Sequence, residues 1–338
     1  MSLFNKGNVL EDLNRPDEAL AAWTEVIRRF GRAREFELRE QVAMAMVNKG
    51  CLLGKLNRHA REFAAYDEVV RRFDSHPAPV LSYLAAHALK NKGNTLARLG
   101  RTGEAITVYE EVIRRFTHLE MLAVRKTVAE ALMGKGWVLA KLQRGREELA
   151  TYEEVLRRFS GSPEPELAEW EMIALFQKAH ALDELNYYEQ SVATCDELLH
   201  RFEGANHTNL RLWIAKALIK KAGILGKLRG AHEERVIYRE VVRRFRHDNN
   251  SAIVEEVKFA AGQLRTASSS RMVEKIFFCK KCAKRVRVLG HLDNKDGPNQ
   301  VPQTITCPEC GHVNELMWPK PRSGWCCFLV ASVRSDAV

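Results

Sequence analysis

KNKGNTLARLGRTGEAITVYEEVIRRF, residues 90–116, and MGKGWVLAKLQRGREELATYEEVLRRF, residues 133–159, are one pattern written twice, 43 residues apart. The same step runs through most of the chain. Phe stands at Phe30, Phe73, Phe116, Phe159, Phe202 and Phe245, and Leu at Leu10, Leu53, Leu96, Leu139, Leu182 and Leu225. Lys holds Lys6, Lys49, Lys92, Lys135, Lys178 and Lys221, each followed by Gly or Ala, and Glu recurs from Glu25 to Glu240. Six copies without an insertion or deletion are the mark of a repeat architecture.

Each unit reads as two helices. In the third, Asp74–Pro79 is rich in breakers. A long helix follows from about Val80 to Leu99, with Ala85, Leu89, Leu96 and Leu99 along one side. Gly100–Gly103 is the expected turn. A second helix runs from about Glu104 to Phe116, its apolar residues Ile106, Tyr109, Ile113 and Phe116 spaced by three and four to make one stripe. Arg114 and Arg115 close it, where cations suit the negative end of the helix dipole. Every Arg-Arg-Phe therefore reads as a helix end before it reads as a nucleic-acid contact. One hairpin cannot bury its stripe alone, so the fold class is all-α, a solenoid of stacked hairpins. Residue 1 falls halfway along a first helix, so the first unit is expected to be short. SAIVEEVKFAAGQLRT, residues 251–266, reads as a seventh first helix that caps the stack.

The residues Leu3-Phe4-Asn5-Lys6-Gly7-Asn8 through Asn14-Arg15-Pro16-Asp17-Glu18-Ala19-Leu20-Ala21-Ala22-Trp23 resemble the tetratricopeptide repeat, with Gly7, Ala19 and Trp23 at its small, small and aromatic positions. The resemblance implies a right-handed superhelical solenoid whose first helices line a groove for a protein or peptide partner. It places Asn8, Lys55, Asn94, Arg98, Lys141, His180 and Lys227 on that groove. Lys55, Arg98, Lys141 and Lys227 lie one turn before the hairpin bend, a line suited to an acidic peptide, although a solvated charged face is nearly as good a reading. Two departures stand out. The period exceeds the family's 34 residues by about nine, so the first helix or its preceding loop is longer. The small residue of the second helix becomes Glu62, Glu148 and Glu234 in alternate units, which puts close helix packing there in doubt.

The repeated lysine is unusual because the family's residue there is apolar. Each unit also carries Glu nineteen residues later. Each lysine is expected to lay its stem on the core and turn its ammonium to a carboxylate of a second helix, in its own or the adjacent hairpin.

The array is expected over 1–266, a linker over 267–274, a small β-rich zinc ribbon over 275–320 and a tail over 321–338. Cys279-Lys280-Lys281-Cys282 and Cys307-Pro308-Glu309-Cys310 form two CxxC knuckles. Four thiolates suit one structural Zn²⁺ in a closed tetrahedron with no open position for catalysis. A redox pair is the other reading of CxxC, and the second knuckle argues against it. Arg285–Leu289 and Gln303–Thr306 alternate apolar and polar residues as strands do, across a polar loop at Asp293–Pro302. Lys280, Lys281, Lys284, Arg285 and Arg287, with aromatics nearby, could hold phosphates and stack bases; a solvated basic face is the plainer reading.

Net charge is +10, denser in residues 271–338, and 46% of residues are hydrophobic, a globular composition. No run of 18 apolar residues occurs, and the start lacks a signal-peptide pattern, so a cytoplasmic chain with no membrane partner is expected. Cys51 and Cys195 fall inside helical patterns as small core residues. No phosphate loop, nucleophile elbow or paired metal-binding histidines occur, so neither catalysis nor a small-molecule substrate is expected. The expected role is a macromolecular interaction scaffold, with nucleic-acid binding through the ribbon as the second reading.

Overall fold

The computed structural model describes residues 3–74, 76–204, 208–268, 270–278, 280–281, 285–293, 300–306, 312–319 and 328–332. The first helices of the six units are α1 (Leu3–Asp12), α3 (Phe36–Lys55), α5 (Pro79–Arg98), α7 (Leu122–Lys141), α9 (Pro165–Glu184) and α11 (Thr208–Arg229). The second helices are α2 (Pro16–Phe30), α4 (His59–Phe73), α6 (Thr102–Phe116), α8 (Gly145–Phe159), α10 (Tyr188–Arg201) and α12 (Ala231–Phe245), and α13 spans Ser251–Ser268. The residues beyond the 34-residue period lengthen the first helix, which is 20 residues in α3, α5, α7 and α9.

Two compact units make up the chain, Met1–Ile224 and Leu225–Val338. The division falls within α11, before the sixth second helix. In the first unit each helix from α1 to α10 packs on its neighbour in sequence, and α3, α5, α7 and α9 also pack in a row.

The hairpin bend is set by backbone chemistry. At each of the first five bends one residue takes positive φ: Asn14, Asn57, Gly100, Gln143 and Asn186. At the second, the Asn57 N–H donates to the Gly54 carbonyl at 3.0 Å and the Arg58 N–H to Leu53 at 2.8 Å. The pair is a Schellman cap, and it satisfies carbonyls the helix end would strand. The bend is thus Leu99–Arg101 in the third unit, and α6 already begins at Thr102. Leu99, expected on the core side, is 43% exposed because it caps the helix just before the reversal.

Small-against-aromatic packing holds the first four hairpins together. A Cβ added at Gly50 would lie 2.5 Å from Tyr66, one at Gly93 2.7 Å from Tyr109 and one at Gly136 2.5 Å from Tyr152. In the fifth unit both partners change, Gly to Ala179 and the aromatic to Cys195. Both are buried. A larger residue on one helix is matched by a smaller one on the other, as close packing demands.

The repeated glutamate serves the Arg-Arg pair. Glu68 accepts from Arg71 and Arg72 of its own helix end, and Glu154 from Arg157 and Arg158. The second arginine also reaches back to the end of the preceding second helix: Arg72 to the Gly31 carbonyl, Arg115 to Asp74, Arg158 to Thr117 and Arg201 to Ser160. These arginines are structural clamps between hairpins.

In the second unit, α12 packs on α13. The strands are β1 (Ser270–Phe278), β2 (Arg285–Asp293), β3 (Gln300–Thr306), β4 (Val313–Pro319) and β5 (Phe328–Ser332). β2 pairs antiparallel with β1 and β5, and β3 pairs antiparallel with β4. The stretch expected as a linker thus carries the end of α13 and the start of β1. The loop expected at Asp293–Pro302 is shortened by the start of β3 at Gln300, and the tail contains β5.

Candidate partner-binding surface

The lysine ladder is built from first helices upward. Lys92 of α5 reaches Asp67 of α4 at 2.6 Å, Lys135 of α7 reaches Glu110 of α6 at 2.8 Å, Lys178 of α9 reaches Glu153 of α8 at 3.2 Å, and Lys221 of α11 reaches Asp196 of α10 at 2.5 Å. The partner is the residue just before the repeated glutamate, on the second helix of the preceding hairpin. The stems lie along the stack and the pairs are half-exposed, so each contributes about 0–1 kcal/mol.

The residues assigned to the groove divide into engaged and open ones. Asn8 accepts from Trp23 Nε1 at 3.3 Å and from Asn48 Nδ2 at 3.2 Å, which ties α1 to α2 and α3. Asn94 is exposed and accepts the Tyr109 hydroxyl at 2.7 Å. Lys55 is exposed but pairs with Glu11 of α1 at 2.8 Å. In the following units Gly54 and Ala97 stand in Glu11's place. Among the described residues Arg98 there makes only a 3.4 Å bond to Thr95, and Lys141 is exposed. His180 faces Glu184 at 3.4 Å. Lys227 belongs to the second unit and is exposed and engaged.

A cavity of about 470 Å³, not anticipated from the sequence, opens between first helices. Tyr83, His87 and Lys90 of α5 face Lys126, Thr127 and Glu130 of α7 across it. Lys90 pairs with Glu130 at 3.1 Å, and Tyr83 stacks on His87. Burial, then Lys90, push the His87 imidazole down to about 4 against the pull of Glu130, so it is neutral at pH 7. The available signal was Tyr83 and His87 four residues apart in the lengthened part of α5.

Cys279, Cys282, Cys307 and Cys310 lie outside the described residues, as do Lys284 and the side chains of Arg285 and Arg287. Lys280 and Lys281 are exposed. Among the described residues no cluster of His, Cys, Asp and Glu could hold a metal, and no helix is long and apolar enough to cross a membrane.

The tetratricopeptide-repeat family profile matches residues 4–77, 49–120 and 90–163. Over residues 4–163 the chain is similar to the tetratricopeptide repeat. No curated protein matches the chain. Solved structures with a similar trace include the apo form of RapI, with 11% identity over 79% of this chain and 86% of that one, at a TM-score of 0.45. Another is pilF of Pseudomonas aeruginosa, with 13% identity over 77% and 96% and a TM-score of 0.44. A third is BtubC from P. vanneervenii, with 16% identity over 62% and 86% and a TM-score of 0.45. Tetratricopeptide arrays are in general protein-interaction scaffolds.

Proposed function

We propose that the array is a macromolecular interaction scaffold that holds a protein or peptide partner along its first helices, centred on α5 and α7. The observation that carries this is the cavity between Tyr83, His87, Lys126 and Glu130, which combines an aromatic wall with polar groups on rigid helices. Arg98 and Lys141 extend the surface with positive charge that no carboxylate in the same register neutralises, which favours an acidic segment. In-cell cross-linking from photoreactive groups placed at Lys126 and Arg98 tests the reading, with the same groups at Arg114 as the control on a second helix. A partner captured at the first two positions, and lost from the Lys126 group in Arg98→Glu with Lys141→Glu, is the expected result. Equal capture from Arg114 would sink it.

The C-terminal region is proposed to be a structural zinc ribbon. Support comes from the order of elements: the CxxC of Cys279 and Cys282 lies in sequence between β1 and β2, and that of Cys307 and Cys310 between β3 and β4. Two short connections, each carrying two thiolates, are the donor set of a closed zinc site, which supplies folding free energy and no chemistry. Elemental analysis of the full chain is expected to give one zinc, lost in Cys307→Ser while the helical circular dichroism is kept. Metal-free protein purified under reducing conditions with its C-terminal amides still protected overturns the assignment.

A further inference from the structure

The lysine ladder has one broken rung. Lys49 of α3 stands in the ladder position, but Thr24 occupies the place that Asp67, Glu110, Glu153 and Asp196 hold elsewhere. The Thr24 hydroxyl is turned to its own helix, donating to the Leu20 carbonyl at 2.7 Å. A second change reinforces the first. Arg61 stands where the next two hairpins carry Glu104 and Glu147. One carboxylate is therefore removed and another reversed in sign, and among the described residues neither Lys49 nor Arg61 has an acidic partner. Burial, then the charge of Arg61, lower the pKa of the Lys49 ammonium. The nearby carboxylates are already taken: Asp17 by Arg58, Glu25 by Arg28 and Arg29, and Glu68 by Arg71 and Arg72.

The same region is hollow. A cavity of about 850 Å³ opens between α2 and α4 with α3 beneath, its walls including Leu20, Ala21, Met46, Leu53, Ala64 and Ala65. In the next hairpin Phe63 replaces Leu20, and Thr107 and Val108 replace Ala64 and Ala65. Phe63 there sits below Lys92 and Arg101, with cation–ring distances of 6.0 and 5.6 Å. The substitutions that strip the acids from this one interface thus go with ones that remove its bulk.

We propose that this cavity receives an acidic side chain of a partner polypeptide. A Glu or Asp with apolar neighbours enters between α2 and α4, and its carboxylate takes, between Lys49 and Arg61, the place that the array's own carboxylates take at the other rungs. Charge complementarity selects the carboxylate, and the aliphatic walls select the flanking residues. A free inorganic anion would satisfy the cations but leave those walls wet. The site lies among second helices, apart from the first-helix surface proposed above, so its failure leaves that reading standing.

The test titrates the full chain with the blocked peptide acetyl-Leu-Ala-Glu-Leu-Leu-amide, with its Gln counterpart, and with inorganic phosphate. The Glu peptide is expected to bind at least about tenfold tighter than the Gln peptide, a preference carried by the paired charges. Lys49→Gln should remove that preference. Thr24→Asp should remove it too, by restoring the rung from within, while raising the melting temperature and so showing an intact fold. The proposal is overturned by equal affinity for the two peptides, by no binding of either, or by a preference that survives Thr24→Asp. Phosphate displacing the Glu peptide at equal or lower concentration would also overturn it, since the site would then be one for the anion alone.

Discussion

Glu62 in the second hairpin and Glu148 in the fourth occupy the same repeat position, and both are almost wholly buried, at 1% and 2% exposure. Their surroundings differ at three places. Glu62 accepts from the Thr95 hydroxyl at 2.7 Å and lies 2.9 Å from Nδ1 of His59, with Arg98 bonded to the same Thr95. Two periods on, Gly145, Ala181 and Glu184 stand where His59, Thr95 and Arg98 stood. Among the described residues, one oxygen of Glu148 accordingly finds no partner. Burial, then the charge of Glu184, push its carboxyl up to about 7. A shared backbone does not give a shared electrostatic environment, because each slot is completed by side chains from the next hairpin. The close packing that looked doubtful at these glutamates is retained: Gly54 leaves so little room that a Cβ there would lie 2.7 Å from Glu62 Oε1.

Replacing each glutamate by Leu breaks the comparison most. Glu62→Leu strands the Thr95 hydroxyl and should cost about 1–3 kcal/mol, whereas Glu148→Leu, which removes an ill-satisfied acid, should be neutral or stabilising. Chemical denaturation with amide exchange resolved by helix checks both, since repeat arrays need not unfold in one step. Equal losses would mean that the two slots are equivalent after all.

Glu148→Gln sharpens the contrast through pH. The folded carboxyl titrates above its unfolded value, so the folded state holds the extra proton between pH 4.5 and about 7. Stability from this group is full below the unfolded value and is lost as pH rises through the folded one. The Gln variant should match the parent near pH 4 and exceed it by up to about 3 kcal/mol at pH 8. A constant difference across that range would remove Glu148 as the titrating group.

Grafting the second hairpin's partners onto the fourth is the next step down. Gly145→His with Ala181→Thr should move the Glu148 midpoint back below 7 and add about 1 kcal/mol at neutral pH. NMR titration of the labelled carboxyl reads the midpoint directly. The smallest effect lies at the bend, where Gln143 takes the positive φ that Asn57 takes in the second hairpin. Gln143→Asn should gain a few tenths of a kcal/mol, because Asn tolerates that region better.

Much of this was written in the repeat. The period, the small residue facing an aromatic, and the arginines at the helix ends can all be read from identical spacing. The lysine ladder could be read only halfway. The lysine recurs and invites an acid, but the glutamate nineteen residues on belongs to the arginines of its own helix end, and the true partner lies 25 residues upstream. Helix crossing, not sequence distance, selects it. The first-helix cavity at Tyr83 and His87 was hidden for a related reason: its two walls come from different units, each unremarkable in isolation.

The sequence by itself determined that the chain is an array of two-helix units, where each helix lies and which stripe it buries, because periodicity and steric size act locally and repeat. Only the tertiary structure decided which charges meet. Ion pairs and cavities form between residues of neighbouring hairpins, and a change from Asp to Thr or from Glu to Arg alters the field in a slot without altering the fold around it. That is why Lys49 and Lys92, the same residue in the same register, end in an open cavity and in a closed rung.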